Sequence, residues 1–195
     1  MWELSDRFDT QPDIISYSSV IDCWAKSDGK VAASRAETIL REMKKKFDSG
    51  HDDLLPSALC YTSVINALAR RGEASRAESL LQEMYNDYQY GNQSAKPDLM
   101  SCNAVLNALG KSGSPDAPER AEAILAKMWE LSDLLDTQPD VTSYNSVLEC
   151  WAKSNRNDSA SRSEAVLLHM KKQKIIPDRL TMDLIKQCGR NLRGL

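Results

Sequence analysis

The sequence has few of the residues that most catalytic and metal-binding sites require. Of its 195 residues only two are histidine and five are cysteine, and no two cysteines form a C-x-x-C pair. Zinc sites and histidine acid–base catalysis are therefore poorly supplied, and no cofactor is predicted. Because the cysteines are odd in number and widely spaced, we interpret them as reduced core residues rather than a disulfide framework.

Glycine and proline are also scarce, with 8 and 7 residues, which excludes collagen and a disordered linker. No apolar run approaches the ~18 residues that a transmembrane helix needs, so no membrane partner is expected. The net charge is only −3, so a nucleic-acid-binding protein of this composition would need local rows of basic residues. The remaining composition, 42% hydrophobic and 27% charged, is typical of a folded protein.

The most informative feature of the sequence is internal repetition. Residues 1–27 and 128–154 are identical at 20 of 27 positions. Within this interval a shorter unit recurs, in which a proline is followed by Asp or Ser and then by an apolar run. The prolines lie 44, 41, 42 and 38 residues apart, and the first three spacings add up to the displacement of the long duplication. They are Pro12, Pro56, Pro97, Pro139 and Pro177.

Each unit carries two helical patterns. In the first, as in residues 14–24, apolar side chains at steps of three, three, one and three lie on one helix face. In the second, as in residues 36–43, a small residue precedes a similar apolar stripe. The Asp or Ser after each proline is a strong N-cap residue. The sequence therefore predicts nine helices, which are four pairs and a last unpaired helix from about Asp178.

A pair of short amphipathic helices cannot bury its apolar faces alone, whereas stacked copies cover one another. The predicted fold is an all-α, right-handed superhelical α-solenoid, formed by one repeat array over residues 1–195. The predicted units are the end of a truncated repeat (1–11), full repeats 12–55, 56–96, 97–138 and 139–176, and the first helix of a further repeat (177–195). Since the array begins and ends inside a unit, the chain is expected to be a fragment or a gene model that begins at an internal Met.

The units resemble pentatricopeptide repeats. The resemblance rests on P-D-V-T-S-Y-N-S-V-L-E-C-W-A-K (139–153) and its copies, followed by second helices that end in I-L-R-E-M (39–43) or L-L-Q-E-M (80–84). It covers nearly the whole chain, and the tetratricopeptide pattern fits less well. The units here are longer than the family's usual repeat. The surplus residues, such as 44–55 and 85–96, are expected to lengthen the second helix and its exit loop.

This resemblance implies a non-enzymatic protein that binds single-stranded RNA, one base per repeat, through two or three side chains. In the family, one base-selecting residue directly follows the first helix's Tyr and the other directly follows the next unit's proline. The implied pairs are Ser18 with Ser57, Thr62 with Asp98, Asn103 with Asp140, and Asn145 with Asp178. Asp183 would begin a further pair, and Asp13 would complete an earlier one.

The chemistry of these pairs gives an expected RNA sequence. An ionised Asp only accepts hydrogen bonds, so it suits the imino N–H of uracil and guanine and disfavours adenine and cytosine. The short Thr leaves space for a purine, whereas the longer Asn suits a pyrimidine. The predicted core is purine-G-U-U, 5′ to 3′ along the chain, with only a weak purine preference from the Ser18/Ser57 pair.

Two further rows of residues complete the expected RNA site. In the family, the residue two before the Tyr position wedges between successive bases. Here these residues are Ile15, Leu59, Met100, Thr142 and Leu180. A basic residue at the end of each first helix also forms a row suited to phosphates, although a favourable interaction with the helix dipole would explain it equally. The row consists of Lys26, Arg70, Lys111 and Lys153.

Two other functions remain open from the sequence. Helical solenoids also bind peptides, so a protein–protein interaction scaffold is the main alternative. The chain could also be the RNA-holding arm of a larger enzyme such as a protein-only ribonuclease P. The resemblance implies a location in mitochondria or plastids and a role in RNA processing, stability or translation. No targeting peptide is visible in the sequence, and no small-molecule substrate is expected.

Overall fold

The computed structural model describes residues 12–154 and 156–190. Over that part of the chain it contains nine α-helices, as the repeat pattern predicted. They are α1 (Ile14–Lys26), α2 (Ala32–Asp48), α3 (Ala58–Arg70), α4 (Ala74–Gln89), α5 (Leu99–Ser112), α6 (Ala117–Leu131), α7 (Val141–Ser154), α8 (Ser159–Lys172) and α9 (Arg179–Arg190). The truncated repeat predicted at residues 1–11 lies outside the described residues, as do residues 191–195 of the last unit.

Most first helices begin at an aspartate cap. Asp98 Oδ1 accepts a hydrogen bond from the Ser101 N–H at 2.8 Å, and the Asp98 N–H donates to Ser101 Oγ at 3.0 Å, which completes a capping box. Ser57 makes no such bond, and its hydroxyl instead lies 3.5 Å from the Cys60 thiol. The aspartates that accept a bond from the N–H three residues later, as Asp98 does, are Asp13, Asp140 and Asp178.

The helices pack in two layers. The first helices α1, α3, α5, α7 and α9 lie side by side, and each second helix packs against the first helices of its own and the next repeat. Small residues near the beginning of the second helices are buried and let the two layers approach closely. They are Ala33, Ala36, Ala74, Ala77, Ala117, Ala121, Ser159 and Ser163. None of the described helices has the length and hydrophobicity to cross a membrane.

The cysteine interpretation is correct for four residues and wrong for Cys23, which is exposed. At the same repeat position in the last helix, Cys188 is buried and lies against Ser163 of the preceding second helix. No second helix precedes α1 among the described residues, so nothing of this kind covers Cys23. A cysteine at this repeat position is therefore buried by the preceding repeat and not by its own helix.

Ion pairs join adjacent second helices once per repeat. They come from the motif R-A-E, or R-S-E in the fourth repeat, which the sequence analysis did not assign. In each pair the Arg of one repeat binds the Glu of the preceding repeat. Burial alone would raise the pKa of Glu37, but hydrogen bonds from Arg76 and Arg41 hold it below its ordinary value. The pairs, here called the Arg–Glu ladder, are Arg76–Glu37, Arg120–Glu78 and Arg162–Glu122.

The surplus residues extend the second helices as expected. Helices α2 and α4, with 17 and 16 residues, are the longest described, and each is followed by a 3₁₀ turn (Asp52–Leu54 and Gln93–Ala95). Buried Asn92 donates from Nδ2 to the Pro56 carbonyl at 2.8 Å. The second exit loop is thereby attached to the beginning of its own repeat.

The close approach of repeats at Gly72 gives a stability prediction. Gly72 has φ +68°, and a Cβ there would lie 3.0 Å from the Lys111 carbonyl oxygen of the next repeat. Gly113 occupies the same repeat position with φ +66°, but nothing lies within 4 Å of its Cβ position. We expect Gly113→Ala to cost about 1 kcal/mol for the left-handed conformation alone, and Gly72→Ala to cost about 1–2 kcal/mol more. Urea unfolding followed by circular dichroism measures both variants, and equal losses would contradict the prediction.

Candidate nucleic-acid interface

Two of the four predicted base-selecting pairs are joined by direct hydrogen bonds. Asn103 Nδ2 donates to Asp140 Oδ1 at 3.2 Å. In the next repeat, Asn145 Nδ2 donates to Asp178 Oδ1 and Oδ2 at 3.2 and 3.3 Å. Each pair spans a junction, because stacking places the beginning of one first helix beside the first helix of the preceding repeat. Stacking thus brings into contact residues that are separated in the sequence by 37 and 33 positions, which is about the length of one repeat.

A hydroxyl that sequence reasoning missed fixes the orientation of each asparagine. Ser143 Oγ donates to Asn103 Oδ1 at 2.6 Å, and Thr181 Oγ1 donates to Asn145 Oδ1 at 2.7 Å. Because a carboxylate only accepts, each amide must present its NH₂ group to the aspartate and its oxygen to the hydroxyl. In the sequence, this residue is a Ser or Thr three positions after the capping Asp. The pattern indicates a helix cap, but it does not indicate a contact with the preceding repeat.

The Ser18/Ser57 pair is arranged differently. The Ser18 hydroxyl lies 3.3 Å from Cys60 Sγ, and the Ser57 hydroxyl lies 3.5 Å from the same sulfur atom. Both serines therefore contact the thiol that occupies the place of the bridging hydroxyl in the later repeats. This junction carries no ionised group from the predicted pair.

The Thr62/Asp98 pair is not directly bonded either. Asp98 and Ser101 are engaged with each other in the capping box. Thr62 is 7% exposed, and its Oγ1 has no hydrogen-bond partner within the described chain. A buried hydroxyl without a partner is energetically unfavourable, so this junction presents an unmet polar group.

The first-helix members of the four pairs are largely covered by neighbouring residues. Ser18 and Asn103 are half-buried, whereas Thr62 and Asn145 are each 7% exposed. The first helix of the following repeat packs against this part of the chain. Asp183 lies at the same position on α9, which no described helix follows, and its side chain is 57% exposed.

The predicted wedge residues form a periodic apolar row. Single exposed apolar side chains are common, but here one repeat position is exposed in five successive first helices. Thr142 is the polar member of the row. The apolar members are Ile15, Leu59, Met100 and Leu180, with exposed fractions between 54% and 70%.

One groove of about 830 Å³ contains members of all three predicted rows. It follows the first-helix layer from α3 to α9. The predicted residues that line it are Met100, Asn103, Thr142, Asn145, Lys153, Asp178 and Leu180. The remaining predicted residues lie outside this lining, mainly in the first two repeats.

A polar row five residues after the Tyr position was missed by sequence reasoning. The pattern is visible as a polar residue at a fixed step in every unit, but the resemblance assigned it no role. Four of its five members line the groove, and Asp22 does not. The row consists of Asp22, Asn66, Asn107, Glu149 and Gln187.

This polar row determines which cations are available at the ends of the first helices. Lys26 binds Asp22 at 2.7 Å, and Lys153 binds Glu149 at 2.6 Å, each four residues earlier. The corresponding earlier residues are neutral asparagines for Arg70 and Lys111. Neither Arg70 nor Lys111 has an ion-pair partner among residues 12–154 and 156–190. The free positive charge of the row therefore lies in the two middle repeats.

The junction network gives a prediction for the pKa of Asp178. The Thr181 N–H and Asn145 Nδ2 donate to its carboxylate, and the Thr181 hydroxyl shares its one proton between Asp178 Oδ1 at 2.8 Å and Asn145 Oδ1 at 2.7 Å. These hydrogen bonds lower the pKa of Asp178 below its ordinary value. Thr181→Val should raise this pKa part of the way back, because the backbone bond remains. The pKa of Asp178 is lower in the folded chain than in the unfolded chain, so the ionised cap stabilises the fold at neutral pH. This stabilisation is lost as the pH falls through the folded-state pKa.

A carboxyl-detected NMR titration measures this change. Ser16→Ala is the matched control, because Ser16 lowers the pKa of Asp13 in the same way. It should raise the pKa of Asp13 and leave Asp178 unchanged. An unaltered Asp178 titration in Thr181→Val would contradict the assigned network.

Comparison with solved structures shows the same fold. The crystal structure of the pentatricopeptide repeat protein PPR10 from maize matches 99% of this chain with a TM-score of 0.69 and 21% identity. The structure of PPR10 in complex with an 18-nucleotide psaJ RNA element matches 99% of it with a TM-score of 0.62 and 22% identity. The chain spans about a quarter of the length of PPR10. A comparison with curated protein sequences found no significant match.

Models of the repeat family match the sequence in two places. The model described as PPR repeat matches residues 59–87, which cover most of α3 and α4. The model described as pentatricopeptide repeat domain matches residues 130–191, from the end of α6 to α9. These matches show that the chain contains pentatricopeptide repeats, in agreement with the repeat spacing and the stacked helical hairpins.

Proposed function

We propose that this chain binds single-stranded RNA along the first-helix groove, with one base at each repeat junction and no catalysis of its own. The observation that carries the proposal is the pair of Asn–Asp hydrogen bonds, Asn103–Asp140 and Asn145–Asp178, at successive junctions. The matches to the repeat family and the fold shared with RNA-bound PPR10 support it. The family implies a role in RNA processing, stability or translation in mitochondria or plastids.

The orientation of the two asparagines favours uracil at the third and fourth junctions. Each amide presents its NH₂ group toward the aspartate, and one N–H of that group remains to donate to a base carbonyl. The aspartate accepts from the adjacent imino N–H of the base. Uracil has this order of acceptor and donor, whereas the amino group and N3 of cytosine reverse it.

The second junction favours guanine for a different reason. A guanine that displaces the residues covering Thr62 can accept at O6 from the unpartnered Thr62 hydroxyl, while Asp98 accepts from the imino N–H. Binding would then remove the cost of an unsatisfied buried group. The first junction has two serines and no charge, so its purine preference is weak. The proposed core is purine-G-U-U.

The exposed apolar row supports stacking between bases. Ile15, Leu59, Met100 and Leu180 stand on successive first helices, and apolar side chains of this kind can separate neighbouring bases. Thr142 offers a smaller apolar surface. The fourth junction should therefore hold its base less tightly than the third.

An exchange of one base-selecting residue tests the reading mechanism. Asn145→Thr should change the preference at the fourth position from uracil to guanine, by about tenfold in relative affinity, since an unmet polar group costs about 1–3 kcal/mol. Fluorescence anisotropy with purine-G-U-U and purine-G-U-G RNAs at fixed salt measures the change. Asn107→Thr, in the polar row outside the predicted pairs, is the control that should keep the uracil preference. If Asn145→Thr left the preference unchanged, the proposed code would be wrong here.

The ion pairs at the helix ends predict unequal contributions to phosphate binding. Replacing Arg70 and Lys111 with Gln should reduce the slope of log affinity against log salt by about 1.4, because each phosphate contact contributes about 0.7 for a single strand. Replacing Lys26 and Lys153 should reduce it by less than half as much, since Asp22 and Glu149 already neutralise them. Both double variants should affect all RNA sequences equally. Identical slopes for the two double variants would contradict the assignment.

A further inference from the structure

A second cleft, of about 560 Å³, lies in the second-helix layer between α4 and α6. No residue that lines it also lines the first-helix groove. Its floor includes Cys102 of α5. Its apolar lining includes Leu81, Ile124, Met128, Leu131 and Leu135, and the Arg120–Glu78 ion pair also lines it.

The cleft exists because a tyrosine position of the repeat is occupied by cysteine. In the preceding repeat this position is Tyr61, which is fully buried, donates to Asp87 of α4 and lies 5.7 Å from Lys44 of α2. The tyrosine ring therefore fills the space between two consecutive second helices. Cys102 is much smaller, so the equivalent space between α4 and α6 is left open.

The following repeat shows the filled arrangement again. Tyr144 is fully buried, accepts from Trp129 Nε1 of α6 at 3.0 Å, and lies 2.8 Å from His169 Nδ1 of α8. Of the three consecutive junctions between second helices, the one between α4 and α6 is thus open and the other two are filled by a tyrosine ring.

The charge at the cleft has changed together with its volume. The third repeat has Lys127 and Leu131 where the second has Glu83 and Asp87. Lys127 Nζ lies 4.9 Å from the centre of the Tyr85 ring and has no carboxylate partner within the described residues. The cleft therefore combines an apolar interior with one unneutralised cation at its edge.

One wall of the cleft is polar. Ser75, Ser79 and Gln82 line it at helical spacing along α4. Ser75 accepts from Arg120, Ser79 donates to the Ser75 carbonyl and Gln82 donates to Asn86, so the Ser79 and Gln82 side-chain oxygens can still accept from the backbone N–H groups of an extended peptide. Burial raises the pKa of the Cys102 thiol to about 12, so Cys102 is a neutral part of the floor and not a nucleophile.

We propose that this cleft binds an extended segment of a partner protein in which an aromatic side chain stands next to an acidic residue. The aromatic ring takes the place that Tyr61 and Tyr144 fill at the neighbouring junctions. The acidic residue pairs with Lys127. Aromatic anchors in desolvated pockets dominate the energy of many protein interfaces. This inference does not depend on RNA binding.

Short probe peptides test the proposal on the ¹⁵N-labelled chain by NMR. Acetyl-Gly-Asp-Phe-Gly-amide should shift the signals of residues around the cleft and bind at least about tenfold more tightly than acetyl-Gly-Lys-Phe-Gly-amide. Acetyl-Gly-Asp-Ala-Gly-amide, which lacks the ring, should not bind. No shift with the Asp-Phe peptide would overturn the proposal.

Two variants test the two chemical features separately. Cys102→Tyr should fill the cleft and abolish peptide binding. Lys127→Glu, at an exposed site, should reverse the preference in favour of the Lys-Phe peptide. Retained binding in Cys102→Tyr, or an unchanged preference in Lys127→Glu, would overturn the proposal. Free phenylacetate is the last arm, and binding as tight as that of the Asp-Phe peptide would assign the cleft to a small ligand instead of a protein.

Discussion

No repeat of this chain can bury its own apolar face, and the stacking of one repeat on the next is the constraint on which the other features depend. Each second helix lies between two first helices, so its apolar stripe is covered only when both repeats are present. The Arg–Glu ladder adds little stability, since pairs that are partly exposed contribute about 1 kcal/mol or less. The ladder joins equivalent positions of successive repeats, while apolar burial supplies most of the energy.

Stacking also places both candidate sites at the junctions between repeats. A base-selecting pair such as Asn103 and Asp140 takes one residue from each of two repeats, so neither repeat holds the site alone. Cys102 is the immediate neighbour of Asn103, and successive residues on an α-helix differ in direction by about 100°. One short segment of α5 therefore contributes to the groove on one side and to the cleft on the other.

The sequence was sufficient for features that a single helix determines, and insufficient for those that two repeats determine together. The period of prolines and apolar residues predicted the nine helices and the capping aspartates. It did not predict the exposure of Cys23 or the low exposure of Thr62, because a neighbouring repeat decides both. The contact between Arg76 and Glu37 joins residues 39 positions apart, and nothing in either helix alone indicates it.

For the candidate site, the sequence indicated the paired residues but not the contacts that orient them. The family resemblance identified Asn145 and Asp178 as partners, and the structure brings them within hydrogen-bond distance. The bridging Thr181 hydroxyl was missed because its cap role already accounts for its position. The neutralisation of Lys153 by Glu149 was visible as a helical i, i+4 pair, but only the contrast with Asn107 before Lys111 shows its consequence.

The ladder has the same chemistry at every rung, so each second helix offers the same Arg and the same Glu to the repeat beside it. Arg35 at one end and Glu164 at the other are exposed and carry the complementary halves of a further rung. If the chain is divided at equivalent points of two repeats, each division separates one Arg from its Glu. Each of these residues can then pair with the Glu or Arg of another repeat. Arrays of different length or order spliced from this chain therefore keep these ion pairs, whereas the close approach of Gly72 to Lys111 belongs to a single junction.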